Sequence, residues 1–64
     1  MKLINVKEMA VKLSSTVGTV YAYVSMRVIP AECIIKLGRS LRFDETAVNM
    51  WLNTLRQAPL PSIP

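Results

Sequence analysis

Ile35-Lys36-Leu37-Gly38-Arg39-Ser40-Leu41-Arg42-Phe43, followed directly by Asp44, is the stretch that decides how this chain folds. Apolar and polar residues alternate on either side of a Gly-Arg pair. That is the period of two imposed by a strand, and the glycine supplies the backbone freedom that a tight reversal needs. The stretch predicts a β-hairpin from about Cys33 to Phe43, with Leu37, Leu41 and Phe43 turned inward. Arg39 and Arg42 flank the turn, where long cationic side chains reach phosphates, so the hairpin is written like a wing that clasps DNA. Asp44 has the side chain of a helix N-cap, and a helix should follow with no linker.

Beyond Asp44, Val48, Trp51, Leu52 and Leu55 recur at i, i+3, i+4 and i+7, which predicts a helix ending near Gln57 with Trp51 in the core. Ala58-Pro59-Leu60-Pro61-Ser62-Ile63-Pro64 then resists helix and sheet alike, so the domain is expected at 1–57 and a proline-rich tail at 58–64. In front of the hairpin, Pro30 biases Ile29 toward extended backbone and closes the preceding element.

At the start of the chain Asn5 and Glu8 have capping-box spacing, and Val6, Met9, Ala10 and Leu13 form the apolar stripe of a first helix. Lys7, Glu8 and Lys12 are left to solvent. Ser14-Ser15 breaks the pattern, and Thr16 caps a second helix from about Val17 to Met26, with Val17, Val20, Tyr21 and Val24 inward. Gly18 and the β-branched residues there are poor helix formers, and read alone the segment would suit a strand. The stripe favours helix. Two short helices joined by a turn make a helix-turn-helix, and the whole chain reads as α+β: three helices and a two-stranded β-hairpin wing.

Composition narrows the function. Sixty-four residues support one domain with a modest core and little room for an enclosed active site. The net charge of +4 favours anionic partners, and between Arg27 and Phe43 the cations Arg27, Lys36, Arg39 and Arg42 face one acid, Glu32. Cys33 is the only cysteine and histidine is absent, which removes an internal disulfide, a Cys/His metal set and a Cys-His nucleophile. Neither a cofactor motif nor a catalytic constellation is present, and the expectation is a protein that is not an enzyme. Asn5, Lys7, Glu8 and Lys12 interrupt any leader-like run, and the uncharged segment from Leu13 to Met26 is short of the ~20 apolar residues of a membrane span. We therefore expect no membrane association and a cytoplasmic location.

The expected DNA-facing residues are Thr16, Gly18, Thr19, Ala22 and Tyr23 on the second helix, with Arg27 at its end and Lys36, Arg39 and Arg42 on the wing. Threonine bonds phosphate or base edges, alanine can touch a thymine methyl, and glycine permits close approach. Such a face would read shape more than base identity.

The order of these pieces, with Met9-Ala10 and Leu13, Thr19-Val20-Tyr21, Pro30-Ala31, Lys36-Leu37-Gly38-Arg39, Arg42-Phe43 and Trp51-Leu52, resembles the excisionase-like winged helix-turn-helix family, related to the DNA-binding domain of MerR-type regulators. The resemblance spans about residues 3–55. It implies a small duplex-DNA-binding accessory protein, commonly a recombination directionality factor acting beside an integrase; a module this small is expected to bind as several copies side by side, in a nucleoid-associated setting. Val17 and Ala22 stand where that family usually has basic residues, and Ser14-Ser15 replaces a glycine-containing turn. Two alternatives stay open: a small transcriptional regulator of a phage or mobile element, and a protein-interaction module that uses the second helix as an apolar interface.

Overall fold

The computed structural model describes residues 2–57, and the proline-rich tail expected at 58–64 lies outside them. The elements run β1 (Leu3–Ile4), α1 (Val6–Lys12), α2 (Val17–Ser25), a 3-10 turn (Ala31–Cys33), β2 (Ile34–Leu37), β3 (Ser40–Asp44) and α3 (Glu45–Gln57). The fold is α+β, with three helices and a small antiparallel sheet. To the expected hairpin the structure adds a third strand, giving the order β1-β3-β2. β1 is too short to carry an alternating pattern, and its pairing is non-local. Leu3 lies opposite Asp44 and Ile4 opposite Phe43, and the Glu45 N–H donates to the Lys2 carbonyl at 2.9 Å.

Each helix begins as its capping residue dictates. The Glu8 N–H donates to Asn5 Oδ1 at 2.8 Å and the Asn5 N–H to Glu8 Oε1 at 3.0 Å, a complete capping box. Thr16 Oγ1 accepts from the Thr19 N–H at 3.2 Å, and Asp44 Oδ1 accepts from the Thr46 N–H at 3.1 Å. The ends are less ordinary. α1 closes with Ser14 N–H to Val11 O and Ser15 N–H to Ala10 O, and α2 with Arg27 N–H to Val24 O and Val28 N–H to Tyr23 O. Both are Schellman motifs, and both put a non-glycine residue in the left-handed region: Ser14 at φ 51° and Arg27 at φ 60°. Ser14 thus does the work of the missing glycine.

The core is Ile4, Val6, Met9, Ala10, Val20, Ile29, Cys33, Phe43 and Val48, drawn from every helix, two strands and the connection after α2. Phe43 sits on the central strand, opposite both Ile4 and Ile34, and is wholly buried. α2 forms despite its propensities because Val20 is buried against this core while Thr16 caps it, so tertiary packing overrides local preference. Trp51 and Leu52 pack on the core from its edge, and Leu55, expected on the same stripe, is exposed.

Two side-chain assignments are corrected. Leu37 was expected inward with Leu41 and Phe43, yet it is 52% exposed. The two-residue turn pairs Leu37 with Ser40 and Lys36 with Leu41, so the odd positions of β2 share a face with the even positions of β3. Leu37 therefore joins Ser40 and Arg42 on the outer face. On α2 one position of the stripe changes: Val17, Val20 and Val24 pack on the core as expected, but Tyr21 is 53% exposed, and Tyr23 packs against the core half-buried in its place. Val17, Val20, Tyr23 and Val24 satisfy helical spacing as well as the expected set does, and the packing of α2 on α1 selects them.

Candidate nucleic-acid interface

The turn of the wing is built by Gly38 at φ 62° followed by Arg39, a glycine-first two-residue reversal of the II′ kind that suits the twist of a hairpin. A Cβ on Gly38 would meet no neighbour, so the residue is needed for its backbone conformation and not for space. Arg39 is exposed at this turn.

Between α2 and the wing runs a cleft in two parts. One part is lined by Tyr21, Val24, Lys36, Gly38, Arg39, Ser40 and Leu41. The other is lined by Asn5, Val6, Lys7, Val17, Tyr21, Arg39, Ser40, Leu41 and Arg42. Tyr21 and Arg39 border both. Lys36 and Arg39 border the first part and Lys7, Arg39 and Arg42 the second, with the exposed Tyr21 on both, and no carboxylate is among the residues that line either.

The chain's acids are occupied or elsewhere. Glu8 is held in its capping box and Asp44 caps α3. Glu45 lies 3.7 Å from Lys12 and 4.0 Å from Lys2, and Lys12 Nζ also donates to Asn49 Oδ1 at 2.8 Å, tying α1 to α3. Glu32 lines a groove shared with Trp51. Among the described residues, Lys7, Arg27, Lys36, Arg39 and Arg42 form no ion pair. Among the described side chains charge is thus segregated: the paired cations sit at the α1–α3 side and the others mostly line the cleft.

Of the residues expected at the site, Arg39 borders both parts, Lys36 the first and Arg42 the second, with Lys36 on the sheet face of Leu41 and Arg42 on the opposite face. Arg42 is half-buried on the outer face of the sheet, its guanidinium donating to the Leu41 carbonyl at 2.9 Å. Thr16, Gly18 and Ala22 are exposed on α2, and Gly18, Tyr21, Ala22 and Ser25 make its continuous open face. Thr19 is half-buried and linked to Thr16 through both hydroxyls at 3.0 Å. Tyr23, expected to reach phosphate, packs on the core, and the corrected aromatic at the cleft is Tyr21. Arg27 lies apart, in a depression with Val24, Ile29, Pro30, Ala31 and Ile34. Lys7 and Tyr21 are the members that sequence reasoning missed. Lys7 was legible only as solvated, because its approach to the wing depends on β1 pairing with β3.

Cys33 is buried, and burial, followed by the nearby charges of Glu32 and Asp44, raises its thiol above the ordinary value of 9.0. It remains a protonated core side chain. Among the described residues no His, Cys, Asp or Glu cluster could hold a metal ion, and no helix is long and apolar enough to cross a membrane. Comparison with family models, with curated proteins and with solved structures finds no match.

Proposed function

We propose that this chain is a duplex-DNA-binding accessory protein of the excisionase-like winged helix-turn-helix kind. The observation that carries the reading is the cleft between α2 and the wing, whose two parts are lined by Lys7, Lys36, Arg39 and Arg42 and by no carboxylate, while the acids lie elsewhere. Cations so placed release counterions from phosphates, the dominant source of affinity in such complexes. α2 would enter the major groove with its smooth face of Gly18, Tyr21, Ala22 and Ser25, while Arg39 at the wing tip reaches the backbone or minor groove beside it. That face has no bidentate base reader, so sequence selectivity would rest on DNA shape, on apolar contact and on neighbouring proteins. An integrase and further copies of this chain are the partners proposed, in a cytoplasmic, nucleoid-associated setting. A small regulator of a mobile element would use the same contacts.

The test is binding to random duplex DNA at low salt by fluorescence anisotropy. Arg39→Ala should weaken binding to every sequence with the fold intact, because Arg39 is exposed and outside the core. A second reading is favoured by the uncharged open face of α2, with Tyr21 at 53% and Met26 at 64% exposure. On that reading α2 binds protein. Ala22→Arg separates the two: added DNA affinity supports the groove, whereas unchanged DNA binding with a dissociated assembly supports the protein interface.

A further inference from the structure

On the side of the molecule that shares no residue with the cationic cleft, a groove runs between the 3-10 turn and α3, lined by Glu32, Ala47, Met50, Trp51 and Thr54. Its α3 residues stand at i, i+3, i+4 and i+7, one face of the helix. Met50 there is 66% exposed, and Trp51 is half-buried. The Thr54 hydroxyl is already satisfied by the Trp51 carbonyl at 2.6 Å, while the Trp51 indole N–H has no acceptor among the described residues. An apolar groove with a tryptophan and its indole donor has the chemistry that receives polyproline-type segments, whose carbonyls are exposed and whose ordering cost is low.

We propose that this groove is the docking site for the chain's own segment Ala58–Pro64. Three of its residues, Pro59, Pro61 and Pro64, are prolines, and Leu60 and Ile63 supply apolar side chains with no charge among them. The lengths agree. Trp51 is about 9 Å and Ala47 about 15 Å back along α3 from Gln57 at 1.5 Å per residue, and seven residues of polyproline geometry span about 22 Å. With a reversal at its first residues, a segment of that length is long enough for Leu60 to Pro64 to reach Thr54, Trp51 and Met50. A short tether also holds the segment at an effective concentration of order millimolar, so a weak contact is enough to keep the groove occupied.

Trp51 is the only tryptophan, so its fluorescence reports this groove alone. In the full chain, Leu60→Ser combined with Pro61→Ser should raise acrylamide quenching of Trp51 about twofold and shift its emission to the red, with far-UV circular dichroism unchanged. Met50→Glu, at an exposed position outside the core, should produce the same rise, and the two changes together should produce no more than either alone. Additive effects of the two, or quenching that the tail substitutions leave unchanged, would overturn the proposal. So would a difference that disappears on dilution, since that places the tail on a second copy. The assay contains no DNA, and its outcome is independent of the nucleic-acid reading.

Discussion

Tyr21 and Tyr23 lie two positions apart on one helix and so point to different sides, and their exchange of roles shows what a stripe of apolar residues can and cannot decide. Val17, Val20, Tyr21 and Val24 fit a helical face, and so do Val17, Val20, Tyr23 and Val24; only the surface that α2 packs against breaks the tie. Two substitutions check it. Tyr21→Ala should leave urea-unfolding stability within about 0.5 kcal/mol of the parent but weaken DNA binding, whereas Tyr23→Ala should cost about 2 kcal/mol. Equal losses of stability would mean that the helix is rotated from its described position. Ser14 makes a second point at this scale. At φ 51° it occupies a conformation that costs a side-chain-bearing residue about 1 kcal/mol, so Ser14→Gly should stabilise the domain and raise its melting temperature by roughly 4–8 °C. A melting temperature that falls on this change would show that the α1 terminus is not the Schellman motif described.

Elements were legible where a local signal marked them. Asn5, Thr16 and Asp44 each announced a helix start, and the Gly-Arg pair announced the turn of the wing. β1 was not legible, because two residues carry no period and their partner lies on β3, far along the chain. The inward placing of Leu37 failed for a related reason: parity along one strand does not survive a two-residue turn. The centre of the packing is accordingly Phe43, flanked on both sides within the sheet, and not Trp51 at the edge. Phe43→Ala should cost about 3–5 kcal/mol, comparable with the whole stability of so small a core, and should abolish the cooperative thermal transition. A retained transition would place the core elsewhere. α2 offers a sharper test, because a Cβ on Gly18 would lie 3.9 Å from Thr16 Oγ1, an ordinary contact. The fold does not require glycine there. Gly18→Ala should stabilise the protein by about 0.5–1 kcal/mol, and it should weaken DNA binding if the groove approaches the α2 backbone at this point. Binding that improves along with stability would remove Gly18 from the interface.

At the scale of the whole molecule the sequence showed an excess of positive charge but not its arrangement. The concentration of cations between Arg27 and Phe43 was visible, and so was Lys36, Arg39 and Arg42 as a group. Nothing local brought Lys7 to them, separated Arg27 from them, or engaged Glu45 with Lys2 and Lys12 at the other side. Those facts follow from the three-dimensional packing of α1 against β3 and α2. They turn a net charge into a face. Alkaline pH acts on the same scaffold through Cys33: its raised thiol keeps the proton longer when folded than when unfolded, so stability should fall as pH rises past 9.0, and a urea midpoint independent of pH there would contradict its burial. The central claim, that the cleft between α2 and the wing holds DNA phosphates, is tested most directly by the salt dependence of binding to random duplex DNA. Four phosphate contacts from Lys7, Lys36, Arg39 and Arg42 predict a slope of log K against log salt of about −3.6, a loss of roughly a hundredfold between about 50 and 200 mM, with Arg39→Ala flattening the slope by about 0.9. An affinity that stays flat across that range, or a slope that Arg39→Ala leaves untouched, would contradict it.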